Sequence, residues 1–314
     1  YTDYYTLSLH DALPIYLGYT RALAEMKRGA LAKDAPDKER CLYALTVGLY
    51  QLRYGHEPAR DKEAREALEA TGGDTDETPL YLTAELALDI AAGKGEEIDE
   101  RLEKLRATEA ENPDFLLVNA EHLVRKKDYA PAVQLLRKGM MLRSADARLT
   151  YLLAKTQLLD GKVQEGRQRM NEVLQLDPEH PLALLAVATE LRNREKLGDA
   201  LRMTRRVTSP RRPLGPIALQ AKAHILAADL LVRQGKSDDA VKELTRALTQ
   251  KPNDGELMNE LAKLHYQRGQ YELAMQQYEA INALDKPTLE ATIGLIRCYL
   301  AQRKLVNCTY PRRT

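Results

Sequence analysis

The sequence predicts an all-α fold, an α-solenoid of stacked helix–turn–helix repeats, and three observations predict it. The 314-residue chain is rich in Ala, Leu, Glu, Lys, Arg and Gln, all good helix formers. With one Phe and no Trp it has little aromatic bulk for a single large core, and suits thin layers of Leu and Ala between helices. Small residues recur on a fixed ruler. Steps of 34, 34, 40 and 34 residues carry Ala120 to Ala154, Ala188, Ala228 and Ala262, and the same steps carry Ala132 to Gly166, Ala200, Ala240 and Ala274.

The elements follow in chain order. Residues 5–15, "YTLSLHDALPI", share no pattern with the rest and resemble a translated short-read sequencing adapter. Residues 1–15 are therefore expected to be non-native and are set aside from fold reasoning, with the chain's own sequence entering near Tyr16. Residues 16–72 read as an irregular helical region: a helix over 16–31, then a pair over 38–52 and 59–70 joined by "RYGHEP". This region is either a cap or a divergent repeat. "GGDTDETP" (72–79) is a linker by composition. Residues 79–112 read as two helices with Leu86 and Ile98 where the ruler calls for small residues, so their packing must differ.

Residues 113–287 hold the regular array, in units starting near 113, 147, 181, 221 and 255. The stretch 259–281, "NELAKLHYQRGQYELAMQQYEAI", shows the plan: apolar residues at helical spacing, a turn at Gly269, then a second apolar face. Gly161 and Gly235 turn the earlier units, and Pro178 and Pro252 close two of them because proline cannot continue a helix. The six-residue slip in the ruler falls on "SPRRPLGP" (209–216). Residues 288–314 read as one helix over 291–305 followed by "VNCTYPRRT", which offers no apolar face for a partner helix. A cut repeat is expected there, with the natural protein continuing.

These residues resemble the tetratricopeptide repeat. That family wants small residues at positions 8, 20 and 27 of each unit, a large one at 24 and proline at 32. The unit from Ala221 supplies Ala228, Ala240, Leu244, Ala247 and Pro252. Other units depart from the pattern, with Val173 or Ile281 at position 27 and proline lost or displaced to Pro287. The resemblance implies a right-handed superhelix whose concave wall is lined by the first helix of each unit, the A helix, and which binds a protein or peptide there. Positions 2, 5, 9, 12 and 13 face that groove in the family. Here they include Leu117 and Glu121, then Arg148, Tyr151 and Lys155. Leu185, Thr189 and Arg192 follow, then Ile225, Asp229 and Arg233, and last Asn259, Lys263 and Tyr266. Apolar side chains flanked by cations suit an amphipathic or acidic segment; equally, the position-5 residues could be half-buried against the neighbouring unit. The Lys and Asn clamp by which some members hold chaperone tails is missing, since Leu117, Leu185 and Ile225 occupy position 5 and Glu121, Thr189 and Asp229 position 9.

Other function classes receive little support. The formal net charge of +1 gives no bulk attraction to polyanions or membranes, and no run of apolar residues is long enough to cross a bilayer. Cys41, Cys298 and Cys308 are too scattered for a disulfide framework or a zinc site. His122, His180, His224 and His265 each belong to a different unit, and no phosphate loop or nucleophile motif appears. No enzymatic activity, cofactor, metal or small-molecule substrate is expected. Arg202, Arg205, Arg206, Arg211 and Arg212, together with Arg192, Arg194 and Lys196, form the one strongly basic neighbourhood, over 192–212. They could dock an acidic partner or a nucleic-acid backbone, but without interleaved aromatics for base stacking a solvated helix face is the favoured reading. Sparse cysteine fits the cytoplasm, with a bacterial periplasm or envelope as the alternative. The expected role is a protein-interaction scaffold, or else a regulatory or localisation module of a larger enzyme or envelope component.

Overall fold

A computed structural model describes residues 26–32, 34–71, 78–94, 97–284 and 288–309, with side chains as far as residue 302. The readings of residues 1–15, of the 72–77 linker and of the tail beyond 309 lie outside the described residues. All regular structure among the described residues is helical. The chain divides into two compact units, Tyr1–Ala183 and Leu184–Thr314.

In the first unit a short helical segment over 26–30 precedes α1 (Asp37–Tyr54) and α2 (Pro58–Glu69), which pack together as the sequence suggests. Next come α3 (Pro79–Ala92) and α4 (Ile98–Glu109), α5 (Pro113–Arg125) and α6 (Tyr129–Leu142), and α7 (Ala147–Leu159) and α8 (Val163–Leu176). Each of these pairs is a helical hairpin, and α6 also packs on α7. The non-standard residues at Leu86 and Ile98 have a clear physical reason. α3 lies heavily against α1 and is buried nearly all round, Leu86 included, and Ile98 at the start of α4 is buried as well. The close approach that the small residues provide elsewhere is here made by Gly48 and Ala87. A Cβ on Gly48 would come within 2.6 Å of the Ala87 Cβ and 3.1 Å of the α3 backbone. Buried Thr46 and Thr83 satisfy their hydroxyls within their own helices, donating to Leu42 O and Pro79 O at 2.7 Å each.

α9 (Pro181–Asn193) crosses the division between the units. The second unit continues with α10 (Leu197–Val207), α11 (Ile217–Arg233), α12 (Ser237–Gln250), α13 (Gly255–Gln267), α14 (Tyr271–Asn282) and α15 (Leu289–Thr309). Each helix from α10 to α15 packs on the next. α11 starts at Ile217, four residues before the expected unit boundary at Ala221. The six extra residues are thus spent partly on an added helical turn and partly on a connection, which Leu214 anchors by burial and by donating from its N–H to Val207 O at 3.0 Å. α15 runs to Thr309, past the expected end at Leu305. Ala291, Gly294 and Cys298 form its covered face, while Leu289, Ile293, Ile296, Tyr299 and Leu300 are exposed.

The ruler has a structural meaning at three places. The small residues Ala120, Ala154, Ala188, Ala262, Ala132, Gly166, Ala200, Ala240 and Ala274 are shielded from solvent, and Ala228 nearly so. A Cβ on Gly166 would lie 2.6 Å from Leu158 Cγ and 3.0 Å from Ala154 O, so a larger residue would push α8 off α7. From α3 onward, each turn between paired helices places one residue in the left-handed region: Gly93, Lys127, Gly161, Glu195, Gly235 and Gly269, with φ of 72°, 64°, 78°, 57°, 76° and 73°. The next amide then reaches back five residues, as Lys162 N does to Gln157 O at 2.9 Å, which ends the helix cleanly. Finally, the residue before each unit caps the coming helix. Asn112, Asp146 and Asp254 accept N–H groups of the first turn, and so does His180, from Ala183 N–H at 3.2 Å. Gln220, the matching residue of the displaced unit, lies inside α11 and donates instead to Gly215 O at 2.7 Å.

Candidate functional site

One cleft in the first unit gathers the sequence-selected residues. Leu117 and Glu121 project from α5 at a spacing of four; Arg148, Tyr151, Leu152 and Lys155 project from one face of α7; and Leu49, Leu52 and Arg53 come from the end of α1. Together they line a small, open cleft of about 30 Å³. Its walls are aliphatic at Leu49, Leu52, Leu117 and Leu152, with a charged rim. Arg125 ties the supporting helices together, donating to Ile90 O of α3 at 3.1 Å and to Leu52 O of α1 at 3.4 Å.

The charges of the rim are mostly spoken for. Arg148 pairs with Asp146 at 2.6 Å and Asp114 at 3.0 Å, and Arg143 joins the same two carboxylates at 3.3 and 3.4 Å. Burial would raise the Asp146 carboxyl, but Arg148 and Arg143 outweigh it and hold the group well below the ordinary carboxylate range. Glu121, buried, pairs with Lys155 at 3.1 Å and lies 3.7 Å from Arg125. Tyr151 packs against a guanidinium and an imidazole. The Arg53 guanidinium sits 5.5 Å from its ring centroid and the His180 imidazole 4.7 Å. Burial, with a smaller push from Glu121 against the pull of Arg53, raises the Tyr151 phenol to about 12, so it stays protonated at neutral pH. Burial, then the nearby Arg53 charge, drives His180 well below its ordinary 6.5, so its imidazole is neutral.

In the second unit the selected residues lie on α9, α11 and α13 and are held by one another. Arg192 pairs with Asp229 at 3.4 Å, and Arg233 with Asp229 at 3.3 Å and Glu195 at 3.4 Å. Lys263 pairs with Glu260 at 2.8 Å and with Glu290 of α15 at 2.7 Å. The Thr189 hydroxyl donates to Leu185 O at 2.9 Å, Asn259 is buried, and Tyr266 packs edge-on to Tyr271 at 5.4 Å. Leu185 and Ile225 are half-buried, Ile225 against the core of this unit. The groove cations Arg148, Lys155, Arg192, Arg233 and Lys263 are thus each ion-paired within the chain. The reason is geometric: A-helix positions one repeat apart face each other, as Glu121 and Lys155 do.

The basic stretch is likewise tempered. Arg192, Arg194 and Arg202 pair with Asp229, Glu190 and Asp199, while Arg205, Arg206 and Arg211 are exposed and Arg212 is half-buried. The histidines are not gathered. His122 meets Asp99, His224 meets Glu243 and His265 meets Gln270, at 2.8, 2.7 and 2.8 Å, each in a different hairpin. Among the described residues no group of three or more His, Cys, Asp or Glu could hold a metal ion, and no helix is long and apolar enough to cross a membrane. Cys41 and Cys298 are buried.

Sequence reasoning missed Leu49, Leu52, Arg53, Leu152 and His180. The last left a signal, since it stands on the ruler of capping residues with Asn112, Asp146 and Asp254. The α1 residues left none, because α1 obeys no repeat.

Comparison with known proteins agrees with this geometry. Residues 225–287 match the family model of the tetratricopeptide repeat. None of the curated protein sequences matches significantly. Among solved structures the fold is similar to that of yeast Tom70, at 14% identity and a TM-score of 0.58, covering 94% of this chain and 61% of that one. It is also similar to the Cut9–Hcn1 hetero-tetramer of the APC/C, at 13% identity and a TM-score of 0.58, covering 89% of this chain and 59% of that one. A third is Pseudomonas aeruginosa pilF, at 14% identity and a TM-score of 0.51, covering 64% of this chain and 92% of that one. This chain therefore spans 61% and 59% of the first two. At such identities the likeness is one of fold alone.

Proposed function

We propose that this chain, a carrier of tetratricopeptide repeats, is a protein-interaction scaffold that seats an extended segment of a partner in the cleft between α1, α5 and α7. The observation that carries the reading is convergence. Leu117, Glu121, Arg148, Tyr151 and Lys155 were selected from repeat positions alone, and all five line the same cleft. A half-apolar, half-charged seat formed by rigid helices suits main-chain and side-chain contacts with a peptide better than it suits chemistry on a substrate. Leu185 and Ile225, with Asn259, Lys263 and Tyr266, form a second, separately testable face on the A helices of the other unit.

The test is to pan a random peptide library against the full chain and locate where an enriched peptide sits. A photo-crosslinking residue in place of Lys155 should label the peptide, whereas one in place of the exposed Lys138 on α6 should not. Labelling from Lys138 alone, or no enriched peptide, would sink the reading. If labelling survives Leu49→Glu but is lost with Ile225→Glu, the seat lies on the second unit instead.

A further inference from the structure

We propose that Arg53 is the anchor of this cleft, and that it selects partner segments presenting a carboxylate next to a bulky aliphatic side chain. The inference rests on the reading of the α1–α5–α7 cleft as a peptide seat, and names the chemistry of its occupant.

Three cations line the cleft, and two are neutralised within the protein. Arg148 turns to Asp146 and Asp114, and Lys155 to Glu121. Arg53 differs. Among the described residues no carboxylate pairs with it, and its recorded contacts are aromatic: the Tyr151 ring at 5.5 Å and the Tyr54 ring at 6.0 Å. It is half-buried, so solvent screens it only in part. A guanidinium held in place by ring faces, beside a lining of Leu49, Leu52, Leu117 and Leu152, is pre-oriented for one anion. Holding it there in advance lowers the ordering cost of binding.

The neighbours narrow the choice. Tyr151 remains protonated at neutral pH and keeps a donor hydroxyl in the same lining. His180, buried and packed against Tyr151, is neutral and adds no second cation. Glu121 in the same wall repels a dianionic phosphate more than a single carboxylate. The four leucines provide the apolar half of the recognition. The anchor comes from α1, upstream of the regular repeats, and differs from the chaperone-tail clamp, whose positions here hold Leu117 and Glu121.

The experiment uses peptides enriched on the full chain, synthesised with a fluorescent label and titrated by anisotropy. Enriched sequences should carry Asp or Glu adjacent to Leu, Ile or Met. Replacing that acid by its amide should weaken binding to the wild-type chain at least about tenfold. The same replacement should cost nothing further against Arg53→Gln, and affinity for the acidic peptide should fall with added salt. The amide peptide needs no altered protein, so the result does not depend on how Arg53→Gln folds. Enriched peptides without acids, or an equal amide penalty in wild type and Arg53→Gln, would overturn the anchor. In that event the peptide seat stands if crosslinking from position 155 persists. No enriched peptide at all defeats both.

Discussion

His180 joins three roles in a single side chain: it caps α9 through Ala183 N–H, supports the Tyr151 ring, and stays uncharged in a site 1% exposed. Protonation would remove its acceptor nitrogen and place a second charge near Arg53. The unfolded chain takes up that proton near the ordinary 6.5, whereas the folded chain resists it, through burial first and the Arg53 charge second, until the pH is well below that. Unfolding therefore binds a proton in acid, and this contribution to stability, complete above pH 6.5, is lost as the pH falls from 6.5 through the depressed folded value. Urea denaturation of wild type and His180→Asn at pH 7.5 and 5.0 should show the smaller acid loss in the variant. An identical loss in both would mean that other groups govern the acid limb.

At the level of the helices, the turn positions separate backbone need from residue choice. Six turns adopt the same left-handed geometry, yet only Gly93, Gly161, Gly235 and Gly269 meet it with glycine. Lys127 and Glu195 bear a Cβ in that region, at a cost of about 1 kcal/mol. Lys127→Gly should therefore raise stability by roughly 0.5–1 kcal/mol, seen as a higher urea midpoint at unchanged slope. Glu195→Gly should gain less, because it also removes the pair with Arg233. The same comparison explains what the sequence could disclose. A glycine announces its turn; Lys127 and Glu195 are recognisable only by counting 34 residues from one that does. Helix ends were less legible still. Pro216 stops the 209–216 connection and lets α11 begin at Ile217, a boundary that the ruler alone assigns to Ala221.

Across the whole molecule, legibility follows periodicity. The hairpins from α5 to α14 and the inward position of their small residues could be read because one contact recurs in each unit. Half of the candidate cleft could be read for the same reason. The other half comes from α1, whose contact with α3 through Gly48 and Ala87 occurs once, on no ruler, and is visible only after folding brings Arg53 beside Tyr151, nearly a hundred residues away. The apolar face of α15 has a practical consequence of another kind. Ile293, Ile296, Tyr299 and Leu300 stand exposed on a chain whose formal net charge is +1 and whose isoelectric point is about 7.8. Near neutral pH, then, little long-range repulsion keeps two such faces apart, and the property that limits handling is colloidal before it is conformational. Ile296→Lys with Leu300→Lys should raise the concentration at which light scattering departs from linearity and leave the unfolding midpoint nearly unchanged. Solubility would then be set by a few exposed side chains at one end of the sequence, and could be adjusted without disturbing the hairpins that give the protein its form.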